Sequence, residues 1–340
     1  MEKARGYMEK EFRTLDLFAG VGGVRLAFEN AGFKTAFAND FSRHCKKTYD
    51  LNFKEAQLFV EDINNLNISE IPEFNILLGG FPCQPFSIAG YRQGFKDEKD
   101  RGNLFFRIAD IIKERKPEAI LLENVKNLKG HDNGNTFKAI KKILEGLGYH
   151  IKAEVLNGMT HGNVPQNRER IFIAGFLDKN KADAFEFPSP IPLVKSFREF
   201  VAEEADDKYY YNDKPLYNKI KRDINSEHTV YQWRRKYVRA NKKGVCPTLT
   251  ANMGRGGHNV PMIRNSRGIR KLTPRECFLL QGFPKSFKLP EDLSDSELYH
   301  QAGNSVVVPV VQRIAENMMK VLKGKRINRQ LTLIHAPISA

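Results

Sequence analysis

The chain has 340 residues, 41% of them hydrophobic, which is enough to bury an α/β core and to carry a second, smaller domain. It has no run of the roughly 20 apolar residues that span a bilayer, its N-terminal residues are too charged for a signal peptide, and its four scattered cysteines include no CxxC pair. A membrane protein, a disulfide framework and a metal site are therefore not expected, and the predicted location is cytoplasmic. The net charge of +15 favours a polyanionic partner, although a solvated lysine-rich surface would carry the same charge.

The first half of the chain alternates short apolar runs with amphipathic segments. This pattern predicts an α/β fold with a mostly parallel sheet and crossover helices. The predicted strands are residues 14–18, 35–39, 76–79, 119–123 and 171–176. The predicted helices begin near Val24, Ser42, Leu104 and Asn135.

A glycine-rich segment, residues 15–23 (LDLFAGVGG), joins the first predicted strand to the first helix. Its glycines permit positive φ angles and let a ligand approach the backbone closely. Asp40 ends the next strand and Asp62 follows a third apolar stretch, so both carboxylates are expected at the same sheet edge, where an acid often binds a ribose. A dinucleotide would fit the same features, and a tight turn beside two surface acids is the structural alternative.

A second loop, residues 79–87 (GGFPCQPFS), follows an apolar strand and holds Cys83 between two prolines. The carboxyl end of such a strand is where α/β sheets place their ligands, so Cys83 is a candidate nucleophile, with a bystander thiol as the alternative. The polar, glycine-containing residues 84–102 that follow are predicted to close over a substrate.

Two further groups of polar residues are predicted at this edge. Glu123 closes the fourth apolar strand within the sequence ENV, where capping of the next loop is its structural alternative. Strand alternation places Gln166, Arg168 and Arg170 of QNRER on one face, although a surface ion-pair ladder would show the same pattern.

The second half of the chain is basic and irregular. Three prolines in residues 187–192 (FPSPIP) predict a domain boundary. Residues 190–270 then hold 17 Lys or Arg against 8 Asp or Glu, so more than half of the net positive charge lies there. Residues 231–237 (YQWRRKY) mix cations with aromatics, as phosphate-tracking surfaces often do. Helices are predicted at residues 273–281 and from Val308 onward.

Taken in order, these segments resemble the bacterial DNA cytosine-C5 methyltransferases over nearly the whole chain. The matching motifs are DLFAGVGG, Asn39-Asp40-Phe41, GGFPCQPFS, ENV, QNRER, RKLTPRECFLLQGFP and QAGNSVVVPVV. The resemblance implies a Rossmann-like, S-adenosylmethionine-dependent catalytic domain in residues 1–189, completed by a C-terminal helix in residues 303–325. It also implies a smaller, irregular target-recognition domain in residues 190–302.

The resemblance also assigns roles to individual positions. Cys83 is expected to be the nucleophile, Glu123 the partner of the cytosine N3/N4 edge, and Arg168 and Arg170 the residues that support the cytosine and order Glu123. The cofactor positions are Phe18, Gly20, Gly22, Gly23, Asp40, Phe41, Asp62, Ile63, Pro82, Asn304 and Ser305. The expected DNA contacts are Gln84, Ser87, Arg101, Arg234, Arg235, Thr248 and Arg255. Thr248 is expected on a phosphate and Arg255 on a guanine edge or, alternatively, a second phosphate. Asp40 and Phe41 stand where the family commonly has Glu and Trp.

The implied function is transfer of a methyl group to C5 of a flipped-out cytosine, within a short duplex sequence, through a covalent bond between Cys83 and C6. The implied partners are double-stranded DNA and a cognate restriction endonuclease, and the enzyme is expected to be a monomer. A tRNA cytosine methyltransferase of the same fold is the alternative, although its recognition region is usually shorter. A nicotinamide-dependent dehydrogenase would leave PCQ, ENV and QNRER unexplained. Intact Cys83, Glu123 and Arg168 argue against a DNA-binding protein without activity.

Overall fold

The computed structural model describes residues 10–82, 104–241, 243–255 and 260–324. A seven-stranded sheet organises the first part of the chain, in the order β3-β2-β1-β4-β5-β8-β6. Its strands are β1 (Arg13–Leu17), β2 (Lys34–Asp40), β3 (Leu58–Val60), β4 (Ile76–Gly80), β5 (Ala119–Val125), β6 (His150–Asn157) and β8 (Glu169–Phe176). β8 runs antiparallel to both of its neighbours, whereas the pairs among β1 to β5 are parallel. The predicted α/β class with a mostly parallel sheet is confirmed.

Helices cover both faces of this sheet, and their starts follow local sequence signals. Ser42 begins α2 because its hydroxyl accepts from the Cys45 amide, and Pro309 lies in the first turn of α10. The helices are α1 (Gly23–Asn30), α2 (Arg43–Asn52), α3 (Leu104–Arg115), α4 (Asn135–Gly146), α5 (Gly158–Gly162), α6 (Lys179–Ala184), α7 (Tyr217–Ile220), α8 (Pro274–Leu279), α9 (Asp295–Asn304) and α10 (Val308–Leu322). Within the described ranges, no helix is long and apolar enough to cross a membrane.

Strand alternation divides the main core into two layers. Leu77 and Ile120 face one side of the sheet, where they share a buried cluster with α3 and α4. Leu78 and Leu121 face the other side, in a buried cluster with α1 and α10. Helix α10 therefore packs against the same sheet as the N-terminal strands, although about 130 residues separate it from β8.

A smaller antiparallel sheet follows in the basic half, in the order β10-β9-β12-β13. Its strands are β9 (Val230–Trp233), β10 (Val238–Asn241), β12 (Met262–Asn265) and β13 (Gly268–Lys271). It has its own buried cluster of Ile220, Ile224, Tyr231, Trp233, Met262 and Ile269. Short strands β7 (Gln166–Asn167) and β11 (Cys246–Pro247) pair in parallel and connect the two halves.

The segment after the small sheet returns to the main core. Arg270 of β13 forms a fully buried, two-armed ion pair with Glu276 of α8, with nitrogen–oxygen distances of 2.7 and 2.9 Å. Phe278 and Phe287 then join the buried cluster that contains α1 and α10. This ion pair therefore fixes the small sheet to the helices that pack on the large one.

Candidate active site

The carboxyl ends of β1 to β5 bring most of the predicted site residues to one edge. Phe18 follows β1, Asp40 ends β2, Asp62 follows β3, Pro82 follows β4 and Glu123 lies near the end of β5. Parallel strands share their carboxyl ends, which explains why these distant residues meet. Cys83, Gln84, Ser87, Arg101 and the predicted lid of residues 84–102 lie outside the described residues.

The chain leaves β4 toward Cys83 directly beside Glu123. Gly80 pairs with Glu123 across the β4–β5 ladder, and a Cβ atom on Gly80 would lie 3.6 Å from the Glu123 carboxylate. Asn124 fixes the start of this loop, since its buried side-chain amide donates to the Phe81 carbonyl at 2.9 Å. The sequence ENV thus supplies two polar groups: Glu123 at the site and Asn124 beneath the loop. The sequence pattern did not reveal the second.

Glu123 and Arg170 form the ion pair at the centre of the edge. The Arg170 Nε lies 3.0 Å from Glu123 Oε1, and both side chains are about 15% exposed. Burial raises the pKa of Glu123, although Arg170 and Arg168 act to lower it. A carboxyl group in this environment is able to carry a proton at a higher pH than an ordinary glutamic acid.

The Arg168 guanidinium is hydrogen-bonded to backbone carbonyls and does not face the open edge of the large sheet. It is 3% exposed, and its guanidinium donates to Leu249 O at 2.6 Å, to Gly303 O at 3.0 Å and to Ser305 O. Burial lowers the pKa of Arg168 to about 9, so the group stays protonated at neutral pH. Arg168 therefore joins the QNRER segment to two distant parts of the chain.

Gln166 extends the same buried junction. Its amide donates to Leu280 O at 2.6 Å and to the Gln281 side chain at 3.1 Å, and its oxygen accepts from Leu249 N at 3.1 Å. Close to this junction, the backbones of Gly303 and Thr250 pack tightly, because a Cβ on Gly303 would lie 2.2 Å from the carbonyl carbon of Thr250. Predicted alternation in QNRER thus holds for Gln166 and Arg168, both of which point into the protein.

The glycine-rich loop is held by Asp40. One carboxylate oxygen accepts from Gly20 N at 3.0 Å and the other from Ser42 N at 2.8 Å. Gly20 and Gly22 have φ angles of 55° and 85°, a region that disfavours other residues. The space above Gly20 is open, whereas a side chain on Gly22 would collide with Phe53.

The remaining cofactor positions surround this loop. Phe41 is 76% exposed at the end of β2, Ile63 is buried, and Asp62 caps the short helix after β3 through a 2.9 Å bond to Asn64 N. Ser305 reaches the loop from the far end of the chain, because a Cβ on Gly23 would lie 2.6 Å from its hydroxyl. Asn304 contacts the His300 ring at 3.1 Å.

These residues fit an adenosine-bearing sulfonium. Phe41 offers an open aromatic face for a base, Asp40 and Asp62 offer carboxylates for hydroxyl groups, and the open space above Gly20 admits a ligand to the backbone. Asp16 adds a buried carboxyl group beneath the loop, close to the backbone amide of Arg25. Burial raises the pKa of Asp16 to about 7.

A basic cleft of about 860 Å³ opens between the small sheet and the QNRER segment. Its lining includes Arg234, Arg235 and Thr248 from the expected DNA contacts, together with Arg239 and Lys243. The Thr248 hydroxyl donates to Asn167 O at 2.6 Å. Arg255 is outside this lining; it is half-exposed and pairs with Glu297 of α9 at 3.2 Å, and its contact with DNA stays a prediction.

A sheet of this topology, with a glycine-rich loop after β1 and carboxylates after β2 and β3, defines an α/β enzyme that binds a nucleoside-containing cofactor. The sequence profile of the family described as C-5 cytosine-specific DNA methylase matches residues 12–320. The chain therefore belongs to this family, and it is a DNA (cytosine-5)-methyltransferase that uses S-adenosylmethionine as methyl donor.

Individual relatives agree with this assignment. The chain is 54% identical over 309 residues to the type II methyltransferase M.Bsp6I of Bacillus sp. (strain RFL6), covering 89% of this chain and 97% of that protein. It is 41% identical over 315 residues to the type II methyltransferase M.DsaV of Dactylococcopsis salina, covering 92% and 88%. The crystal structure of the S. pombe Dnmt2 methyltransferase shares the fold, with a TM-score of 0.70 and 20% identity over 92% of this chain and 99% of that one.

Proposed function

We propose that this DNA methyltransferase is the modification enzyme of a type II restriction-modification system. It would act on one cytosine within a short duplex sequence that a cognate endonuclease also recognises. The names of the 54% and 41% identical relatives support the type II assignment. The active form would be a monomer, and its DNA substrate would place it in the cytoplasm.

Chemistry at cytosine explains the need for Cys83 and Glu123. C5 is a poor nucleophile, so the Cys83 thiolate adds to C6 and forms a sulfur–carbon bond, which makes C5 enamine-like. A proton or strong hydrogen bond at N3 must accompany this addition, and Glu123 supplies it. The burial of Glu123 near the carboxyl end of β5, which raises its pKa, is the observation that supports this role most directly.

The sulfonium of the cofactor, when bound, supplies the methyl group that C5 attacks. Loss of the C5 proton to a base then allows the sulfur–C6 bond to break, which frees Cys83 and restores the aromatic ring. Arg170 holds the Glu123 carboxyl at 3.0 Å during these steps. We assign Arg168 a positioning role, since its guanidinium is already bound to Leu249, Gly303 and Ser305.

Access to C6 requires the cytosine to leave the double helix, at a cost of roughly a few kcal/mol. Three of the cations that line the basic cleft, Arg234, Arg235 and Lys243, would offset part of this cost by neutralising phosphates. We divide the chain accordingly into a catalytic region, residues 1–189 with 303–325, and a recognition region, residues 190–302. Within the latter, residues 274–302 would form the junction with the large sheet.

Transfer of a labelled methyl group to duplex DNA and to tRNA, measured side by side, tests this function. The proposal predicts label in DNA confined to one short sequence, and a Cys83→Ser variant that binds the same DNA without labelling it. Label in tRNA rather than DNA would favour the alternative substrate. Substantial turnover by Cys83→Ser would contradict the assigned nucleophile.

A further inference from the structure

Gln232 of β9 faces the basic cleft, and its side chain is not hydrogen-bonded to another described residue. Tyr231 and Trp233 of this strand point into the small core, whereas Gln232, between them, lies on the opposite face and lines the cleft. Gln232 is only 6% exposed, and its side-chain amide has no hydrogen-bond partner in the part of the chain that the structure describes. The side chain is thus mostly buried, but its amide nitrogen and oxygen are not sealed from solvent, and they lie at the wall of the cleft.

The other buried glutamines behave differently. Gln166 and Gln281 bond to each other and to backbone groups, and Gln301 donates to His44 O and accepts from the Thr48 hydroxyl. Buried amides are normally bonded in this way because an unpaired one loses its hydration without compensation. Gln232 makes no such bond among the described residues, and its amide atoms keep access to the cleft, which leaves them available to a ligand there.

Arg239 stands directly opposite. It pairs with Gln232 in the antiparallel β9–β10 ladder, so the two side chains share a face with Cβ atoms about 5 Å apart. Arg239 also lines the cleft, is exposed, and has no ion pair or hydrogen bond within the described ranges. The Gln232 amide and the Arg239 guanidinium therefore lie side by side on two paired strands, and neither side chain is hydrogen-bonded to another described residue.

We propose that Gln232 and Arg239 read the edges of neighbouring bases in the recognition sequence, Gln232 binding an adenine and Arg239 a guanine. The proposal rests on the proposed action on a specific duplex sequence. A glutamine amide matches the N7 acceptor and N6 donor of adenine, and a guanidinium matches O6 and N7 of guanine. Arg234 lies at the β9–β10 turn on the rim of the cleft, where it contacts phosphate.

The test is methylation of a randomised duplex library by the full-length enzyme, read by bisulfite sequencing. Wild type is expected to require adenine at one position next to a required guanine. Gln232→Ala should relax the adenine position by roughly 10- to 100-fold while leaving the others unchanged. Gln232→Glu, which keeps the shape, should shift that position toward cytosine, whose N4 amino group donates to a carboxylate. Arg239→Ala should relax the neighbouring guanine position.

Arg234→Ala is the matched control, and it should weaken methylation of all sequences to the same extent. An unchanged sequence profile in both Gln232 variants, with activity lowered uniformly, would overturn the proposal and make Gln232 structural. Wild-type methylation without any adenine requirement would also overturn it. A wild-type enzyme that methylates no sequence in the library would instead contradict the proposed function itself. Thermal unfolding without DNA should be alike in wild type and Gln232→Glu.

Discussion

Replacing Arg168 with lysine perturbs the buried junction that joins Leu249 to Gly303 and Ser305. The lysine keeps the positive charge but lacks the two-armed geometry that reaches Leu249 O, Gly303 O and Ser305 O together. Loss of two charge-assisted bonds at about 1.5–3 kcal/mol each lowers the free energy of unfolding by about 3–6 kcal/mol. Urea unfolding of Arg168→Lys measures this loss.

The same variant should bind both ligands more weakly. Ser305 touches the glycine-rich loop and Leu249 follows Thr248, which lines the basic cleft, so loosening Arg168 disturbs the loop and the cleft at once. Calorimetric titration of the folded variant with cofactor, and separately with DNA, detects this. Arg255→Lys is the control for stability and cofactor binding, since its exposed pair with Glu297 contributes at most about 1 kcal/mol. Wild-type stability and cofactor affinity, combined with a reduced turnover, would refute the positioning role and favour direct contact with the cytosine.

The remaining predictions concern single groups. Because burial raises the pKa of Asp16 to about 7, from 3.8, the folded state holds this proton more tightly. This group should therefore lower the stability of wild type by about 3 kcal/mol between pH 5 and pH 8. Urea unfolding at these two pH values should show a smaller loss for Asp16→Asn, and equal losses would contradict this. Glu123→Gln should slow single-turnover methylation by a factor of roughly 10²–10⁴. The turnover of wild type should fall as pH rises through the raised pKa of Glu123. A Glu123→Gln variant with a rate near that of wild type would exclude proton donation by Glu123. Gly303→Ala places a Cβ 2.2 Å from the Thr250 backbone and should lower the free energy of unfolding by about 3 kcal/mol. Gly146→Ala, where the space is open, should change it by under about 1 kcal/mol. Similar melting temperatures for the two variants would show that the Gly303 contact relaxes. Phe41→Ala should weaken cofactor binding roughly tenfold by calorimetry, and unchanged affinity would remove Phe41 from the pocket.

Apolar runs made most of the large sheet predictable. The predicted strands agree with β1, β2, β4, β5 and β8 to within two residues, because strands buried on both faces of a sheet read as continuous hydrophobic segments. β6 was not predicted, since it is an edge strand whose sequence, HIKAEVLN, mixes charged and apolar residues. The antiparallel direction of β8 depends on pairing with β5 and β6, which no local pattern encodes.

The site was predictable where it depends on strand ends and not where it depends on long-range contacts. Asp40, Asp62 and Glu123 follow from the rule that parallel strands end together. The role of Arg168 does not, because its carbonyl partners lie 81 to 137 residues away along the chain. Gln232 was hidden within a cation-rich segment, and its burial becomes visible only once β9 pairs with β10.

Covalent trapping tests the central claim most directly. Duplex DNA that carries 5-fluorocytosine within the methylated sequence would be incubated with the full-length enzyme and cofactor, since fluorine at C5 prevents the final proton loss. A denaturation-resistant protein–DNA complex is expected from wild type and none from Cys83→Ser, with 5-methylcytosine as the product in ordinary DNA. A trapped complex that survives the Cys83→Ser change, or N4-methylcytosine as the product, would contradict the assignment of Cys83 as the nucleophile at cytosine C6.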